Sequence, residues 1–385
     1  MQLSCVFLLE REILEFQKIE NPKELENMNS LFELKKIDGK DRIVLAIESS
    51  CDETSVAIVR NGREQLSCAT ATQTDIHALY GGVVPEIASR AHTEAICGLM
   101  EKALKDASMT MDDIDAIGVT NTPGLIGALL TGVCFAKGLA YATKKPLIAI
   151  DHIKGHTAAN YLCHAELEPP FTALVVSGGH TSLFAVTSYT DYKVIGSTRD
   201  DAAGEVFDKV ARVLGLPYPG GAAMDRLAAE GDKNALKLTV SHVEGSKYDF
   251  SFSGLKTAVI NRVHQMEQKG EELDHQKKCD IAASMTNALI KTITSRLEAY
   301  FEEYPEIKGR PIVLAGGVAA NSHLRKALKE TTEKYGAVLY QPPLSLCGDN
   351  AAMIAAQGFY EPILHAEKAL TLNAYATARI NPLKK

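Results

Sequence analysis

From Arg42 the chain settles into short apolar runs bounded by turn residues. Ile43–Glu48 and Ser55–Arg60 have strand length, and Asn61-Gly62 separates the second run from Glu64–Thr72. An Asn-Gly pair between two such runs predicts a hairpin, because both residues tolerate the positive φ that a tight turn requires. The period then lengthens: Ile87, Ala91, Ala95, Leu99 and Ala103 fall on one face of a helix predicted over Val84–Asp106. A strand over Ala116–Thr120, the loop Asn121-Thr122-Pro123-Gly124, an apolar helix over Ile126–Thr143, a strand over Leu147–Ile150 and a helix from His152 to about His164 follow.

The second half repeats this order. Thr172–Val176 and Thr181–Thr187 flank the tight turn Ser177-Gly178-Gly179-His180, and Tyr192–Ser197 supplies a third strand. Gly204–Leu214 is helical. Ile312–Ala315 leaves through Gly316-Gly317 into a helix over Asn321–Lys334, before a strand over Ala337–Tyr340 and a helix from near Asp349. Letters recur as well, Thr54–Val59 against Thr181–Val186. Two βββαβαβα halves imply an internal duplication. The expected fold is α/β with two domains, of the ribonuclease H-like architecture shared by actin, Hsp70 and sugar kinases. Residues 42–165 and 166–348 would form the halves, and 349–385 a C-terminal helix returning toward the first. Residues 217–310 escape the repeat and read as a mostly helical insertion, best defined over Asp280–Phe301. In such folds ligands bind between the halves, near strand ends and helix N-termini. Residues 1–41, rich in Glu and Lys from Glu10 onward, form an N-terminal extension: a helical or frayed appendage, or a stretch upstream of a start at Met28.

Composition narrows function more than fold. The 385 residues, 46% hydrophobic and 23% charged, suit a soluble globular protein with two cores. A formal net charge of -7 gives no global attraction to nucleic acid, so RNA contact would need a local basic patch or a basic partner. Eight cysteines without a CxxC pair read as reduced thiols of a cytoplasmic protein. Leu3–Leu9 is too short for a membrane span, and no small-residue cleavage site follows it, so a signal peptide is not expected. No other segment reads as a spanning run of about 18 apolar residues, and no membrane association is expected.

The chemistry concentrates in a few places. His152-Ile153-Lys154-Gly155-His156 sets two imidazoles at i and i+4, about 5–6 Å apart on one helix face. That pair is either ordinary helix histidines or a ligand pair suited to Zn or Fe. Ile153 stands where a metalloprotease would carry its Glu. Asp349 follows the equivalent strand of the second half and, if strand ends face each other, could join the histidines; it could equally be a helix N-cap. Ser177–His180 and Gly316-Gly317 are either plain tight turns or cradles whose bare amides approach an anion. Asp200 to Lys209 gathers acid at a helix start, which complements the helix dipole or offers Asp208 to ribose hydroxyls. Tyr218-Pro219-Gly220-Gly221 and Asp225 could wrap the same nucleoside. Ser49–Thr54 matches the Ser177 turn by position, and Cys51 within it reads as a buried thiol or a reactive one.

Taken together these motifs resemble the universal tRNA N6-adenosine threonylcarbamoyltransferase family. Ile47-Glu48-Ser49-Ser50-Cys51-Asp52-Glu53-Thr54 is similar to its N-terminal signature, and Tyr80–Arg90 to its bacterial branch. Asp201–Asp208, Phe250-Ser251-Phe252-Ser253-Gly254-Leu255-Lys256 and Ala315-Gly316-Gly317-Val318 add to the likeness, which runs from about Ile43 to Asn381. The resemblance implies one divalent metal, Fe2+ or Zn2+, on His152, His156 and Asp349. It implies a substrate site from Val175, Val176, Ser177, Gly178, Gly179, Asp208, Gly221, Asp225 and Asn321. The implied reaction moves threonylcarbamoyl from threonylcarbamoyl-AMP, made by another enzyme, to N6 of adenosine 37 in tRNAs reading codons that begin with A. Asp52, Glu53 and His180 are candidate general bases, with Asp52 first. Implied partners are tRNA, a smaller paralogous actin-like protein and a P-loop ATPase of the same pathway, with the apolar face of Val84–Asp106 as a docking surface or plain core. Nothing in the chain supports the peptidase activity once ascribed to the family. The alternatives are a sugar or acetate kinase of the same fold, which has no use for HxxxH, and a non-catalytic nucleotide-dependent scaffold.

Overall fold

The computed structural model describes residues 41–240 and 242–377. The expected N-terminal extension lies, but for Asp41, outside them. The described residues form two compact units, 41–73 with 84–165 and 349–377, and 74–83 with 166–348.

In the first unit, strands β1 (Ile43–Glu48), β2 (Glu53–Arg60) and β3 (Glu64–Thr72) form an antiparallel meander. Asn61 and Gly62 both take positive φ, 54° and 68°, and Arg63 N donates to Arg60 O at 3.1 Å, the tight turn that Asn-Gly predicts. Between β3 and the next strand come α1 (Thr74–Ala78), which belongs to the second unit, and α2 (Pro85–Asp106). Strands β4 (Ala116–Thr122) and β5 (Leu147–Asp151) then join in parallel, giving the order β3-β2-β1-β4-β5. Helix α3 (Ile126–Thr143) connects them, and α4 (His152–Ala158) follows β5. Leu45 and Ile47 share a core with Leu129 and Val133 of α3 and Ile96 of α2. Helix α3 corrects the expectation that no apolar run reaches spanning length. By length and composition alone it could cross a membrane, and six of its residues are buried here, Leu129 and Val133 among them. The expected helix to His164 tightens instead into a 3-10 turn over Ala159–Leu162.

The second unit has the same plan. Strands β6 (Phe171–Val176), β7 (Thr181–Val186) and β8 (Tyr192–Ser197) form the meander. Helices α5 (Ala203–Val213), α6 (Gly221–Glu230), α7 (Ser253–Gln268) and α8 (His275–Glu303) precede β9 (Ile312–Ala315), α9 (Ser322–Lys334) and β10 (Leu339–Tyr340). The order β8-β7-β6-β9-β10, with β9 and β10 parallel, repeats the first sheet strand for strand. The recurrent letters occupy equivalent strands, β2 and β7. Helix α8 starts earlier than Asp280, because Asp274 caps it by accepting from Lys277 N at 2.8 Å.

The chain then enters α10 (Ala351–Gly358) and α11 (Ala366–Leu370) of the first unit. All eight residues of α10 are buried, and the helix packs on β1, β2 and α4. An ideal Cβ on Gly358 would stand 2.9 Å from Ile150 and 3.5 Å from Val44, so α10 lies close on the sheet.

Candidate metal centre and substrate turns

Asp151 ends β5 and caps α4, its Oδ1 accepting from Ile153 N at 2.8 Å and Lys154 N at 3.3 Å. The cap fixes His152 in the first helical position and His156 one turn later. Both imidazoles are buried, with ring centroids 4.5 Å apart. Asp349 arrives immediately before α10. The cap of α10 is its neighbour, since Asn350 Oδ1 accepts from Met353 N at 3.0 Å. Asp349 Oδ1 lies 3.5 Å from His152 Nε2 and 3.3 Å from His156 Nε2. The three residues belong to one unit, so Asp349 joins the histidines from the segment that follows the second half and not from a facing strand end of that half. The reason is α10: all eight of its residues, apolar but for Gln357, are buried, it packs on the first sheet and on α4, and it carries Asp349 with it.

Behind His152 sits a partner that sequence reasoning quoted without a role. Glu48, fully buried at the end of β1, places Oε2 3.1 Å from His152 Nδ1, and Ser50 Oγ lies 3.2 Å from the same nitrogen. Glu48 also accepts from Ser50 N and Thr120 Oγ1, each at 2.6 Å. A carboxylate on one ring nitrogen leaves the other to serve as ligand. The available signal was a Glu closing an otherwise apolar strand.

The local field is negative. Burial works against charge on His152, but Asp349 and Glu48 outweigh it and hold the imidazole up to about 9. Burial and the neighbouring His152 push His156 down. Burial would raise the Glu48 carboxyl, yet His152 keeps it below the usual range. Burial, Asp349 and Asp52 push Glu53 up to about 9. The Cys51 thiol rises well above its ordinary value through burial, Asp52 and Asp349, so it reads as inert. Buried carboxylates crowded beside two imidazoles suit a cation. His156 sharpens the point: among the described residues its buried Nδ1 finds no hydrogen-bond partner and its Nε2 faces the Asp349 carboxylate at 3.3 Å, an arrangement that is costly unless something coordinates the ring. One ligand atom from each of His152, His156 and Asp349 falls within 4.8 Å of the others. Two imidazoles and a carboxylate suit zinc or iron and leave positions open.

In the second unit, Ser177–His180 closes on itself. Ser177 N donates to His180 O at 2.7 Å, and His180 N donates to Ser177 Oγ at 3.1 Å. Val175 and Val176 lead into it as the buried end of β6. Gly316, at φ 92°, brings the β9 exit against the same place, where a Cβ would stand 2.4 Å from Val176 O. Asp208 Oδ1 accepts from Gly220 N at 2.7 Å, one residue before Gly221 opens α6. Asp225, four residues on, accepts from Ser322 N at 3.0 Å and Ser322 Oγ at 3.1 Å. Asn321 caps α9 by accepting from Leu324 N at 2.8 Å. The start of α6 thus links Asp208, Gly221, Asp225 and Asn321. Asp208 also lines a pocket of about 190 Å³ with Gly81, Arg212 and Tyr218; Gly221, Asp225 and Asn321 do not line it. Of the three candidate bases, Asp52 and Glu53 lie in the first unit and His180 in the second.

The acid run before α5 does something else than expected. Ala202, without a side-chain bond, occupies the N-cap of α5. Asp200 instead accepts from Phe252 N at 2.7 Å and Ser253 N at 3.2 Å, capping α7 from a distance. Asp201 takes Lys256 Nζ at 2.6 Å, Lys209 Nζ at 3.1 Å and the Ser253 hydroxyl.

A family profile described as tRNA N6-adenosine threonylcarbamoyltransferase matches residues 64–356. A Clostridium perfringens protein of that name is 50% identical over 339 residues, 88% of this chain and 98% of the relative. A Clostridium botulinum protein of the same name is 48% identical over 338 residues, covering 88% and 97%. Among solved structures, T. kodakarensis HypF is similar in fold at 15% identity and a TM-score of 0.55, over 86% of this chain and 48% of that one. The architecture is a two-unit α/β fold with two five-stranded sheets of the same strand order. The shared profile and the near full-length relatives together establish that this chain belongs to the tRNA N6-adenosine threonylcarbamoyltransferase family of transferases.

Proposed function

We propose that the chain transfers threonylcarbamoyl from threonylcarbamoyl-AMP to N6 of adenosine 37 in tRNAs reading codons that begin with A, with release of AMP. In a chain of this family, the observation that carries the reading is the cluster of two buried imidazoles, His152 and His156, with the half-buried Asp349 carboxylate. These three residues would hold Zn2+ or Fe2+, which when bound supplies Lewis-acid polarisation and a template for the adenylate's oxygens. Glu48 holds His152 with Nε2 turned toward Asp349.

The glycines support a ligand in the second unit. Among the described residues, a Cβ at Gly178, Gly179, Gly221 or Gly317 would meet nothing within 4 Å, so internal packing does not require glycine there. Their amides are left open to approach by phosphate and by charge developing on the carbonyl. Asp208 accepts the ribose hydroxyls. Asn321 Oδ1 serves the α9 cap, so its contribution comes from Nδ2. In the transfer, the N6 lone pair attacks the carbamoyl carbon, the bond from that carbon to the phosphate oxygen breaks, and AMP leaves with the electron pair. Asp52 takes the proton lost from N6. The work is cytoplasmic, and the partners are tRNA, the smaller paralogue, the P-loop ATPase and the enzyme that makes the adenylate.

The test combines the full chain, those partners, threonylcarbamoyl-AMP and unmodified tRNA. Threonylcarbamoyladenosine and AMP should form in equal amounts. Absence of modified nucleoside, together with phosphorylation of a sugar or carboxylate by ATP, would overturn the reading in favour of a kinase.

A further inference from the structure

We propose that Glu230, His275 and Cys279 form a second divalent-cation site, of the zinc class, where α6 meets the start of α8. His275 and Cys279 stand at i and i+4 on α8, so both side chains face one way. Glu230 ends α6 opposite them. Its Oε2 lies 3.0 Å from His275 Nε2 and 4.0 Å from Cys279 Sγ, and the sulfur is 3.5 Å from the same imidazole nitrogen. The three donor atoms therefore already converge at the spacing of a coordination shell.

The backbone holds them there. Gly231 lets the end of α6 press on α8, since a Cβ at Gly231 would stand 2.1 Å from Cys279 O. Asp232 N donates to Asp280 Oδ1 at 2.9 Å and locks the two segments one residue further on. An exposed Glu–His pair alone would be an ordinary surface contact of little consequence. The third member changes this: Cys279 is fully buried, and its sulfur meets the carboxylate and the imidazole together. One thiolate, one imidazole and one carboxylate match the borderline-soft preference of Zn2+, with water free to complete a tetrahedron. On binding, sulfur, nitrogen and oxygen each bond to the cation. The thiol proton passes to solvent, and the imidazole carries its remaining proton on Nδ1. Thiolate and carboxylate together neutralise the divalent charge. The ion would pin the end of α6 to the first turns of α8, the two helices that bracket part of the insertion.

The experiment is Co2+ titration of the full chain, followed by displacement with Zn2+. A thiolate-to-cobalt charge-transfer band should appear in the near ultraviolet, which the His152 centre, having no sulfur ligand, does not produce. Cys279→Ser should abolish the band and weaken Zn2+ at this site by more than about 100-fold, beyond the loss of an outer-shell partner. His275→Ala and Glu230→Ala change exposed side chains, and each should weaken binding at least about tenfold with the fold intact; they decide the matter if the Cys279 variant does not fold. No band in the wild-type chain under excess Co2+, a band surviving in folded Cys279→Ser, or unchanged affinity in both exposed variants overturns the proposal.

Discussion

Glu48 braces the imidazole of His152 from behind, with 3.1 Å between the buried carboxylate and Nδ1. Glu48→Gln keeps the volume and removes the charge that orients the ring. Metal affinity should fall about 10–100-fold, as for other outer-shell partners of histidine ligands. Metal titration with circular dichroism checks this; undiminished affinity in a folded variant would show that the ring needs no brace.

Replacing both histidines tests the centre itself. His152→Ala with His156→Ala should remove the metal of this centre, leaving any ion at Glu230, His275 and Cys279 in place, and abolish transfer while the chain stays folded. Elemental analysis of the purified variant is decisive, because full metal content would place the ion elsewhere.

Asp208 serves structure and, on the proposed reading, substrate. Asp208→Ala loses the bond to Gly220 N, worth about 1 kcal/mol of stability. It should also weaken adenylate binding by about tenfold to several hundredfold, since charge-assisted bonds contribute about 1.5–3 kcal/mol each. Asp208→Asn keeps an acceptor for Gly220 and should restore stability more fully than affinity. Calorimetric binding and thermal melts separate the two, and metal content should not change in either variant.

Acid should expose the Asp201 tie between α5 and α7. Burial opposes it, but hydrogen bonds from Lys256, Ser253 and Lys209 hold the Asp201 carboxyl down to about 2, below its ordinary 3.8. A folded value below the unfolded one stabilises above the ordinary range and is lost as pH falls through about 2. Asp201→Asn should therefore cost about 1 kcal/mol or less near neutrality, given how exposed its Lys209 partner is. That cost should shrink toward nothing below about pH 2, as urea melts at several pH values would reveal; a pH-independent penalty would count against the ionic tie.

Much of this was legible along the chain because it is local. The Asn61-Gly62 turn, the His152 and His156 spacing and the repeated order of strands all follow from neighbours a few residues apart. Glu48 behind His152 was not legible, because it depends on β1 lying beside β4 and β4 beside β5. Asp200 and Asp201 looked like the cap of the helix that follows them. Their partners, Phe252, Ser253 and Lys256, stand some fifty residues later and meet them only through tertiary packing. Asp349 read equally well as an N-cap along the chain, and the backbone gives that role to the next residue, Asn350.

Residues 49–52 and 177–180 fill the same slot, between the first and second strands of sheets with identical strand order. One reads Ser-Ser-Cys-Asp between Glu48 and Glu53, the other Ser-Gly-Gly-His between Val176 and Thr181. The two copies now differ in polarity, one set among the carboxylates Glu48, Asp52 and Glu53 and the other carrying none. Because the antiparallel ladder beneath each slot is made by backbone, the charge it displays can be rewritten while the socket keeps its shape. Duplication of this frame therefore yields two turns in one slot whose charge is set separately, each adjustable without disturbing its twin.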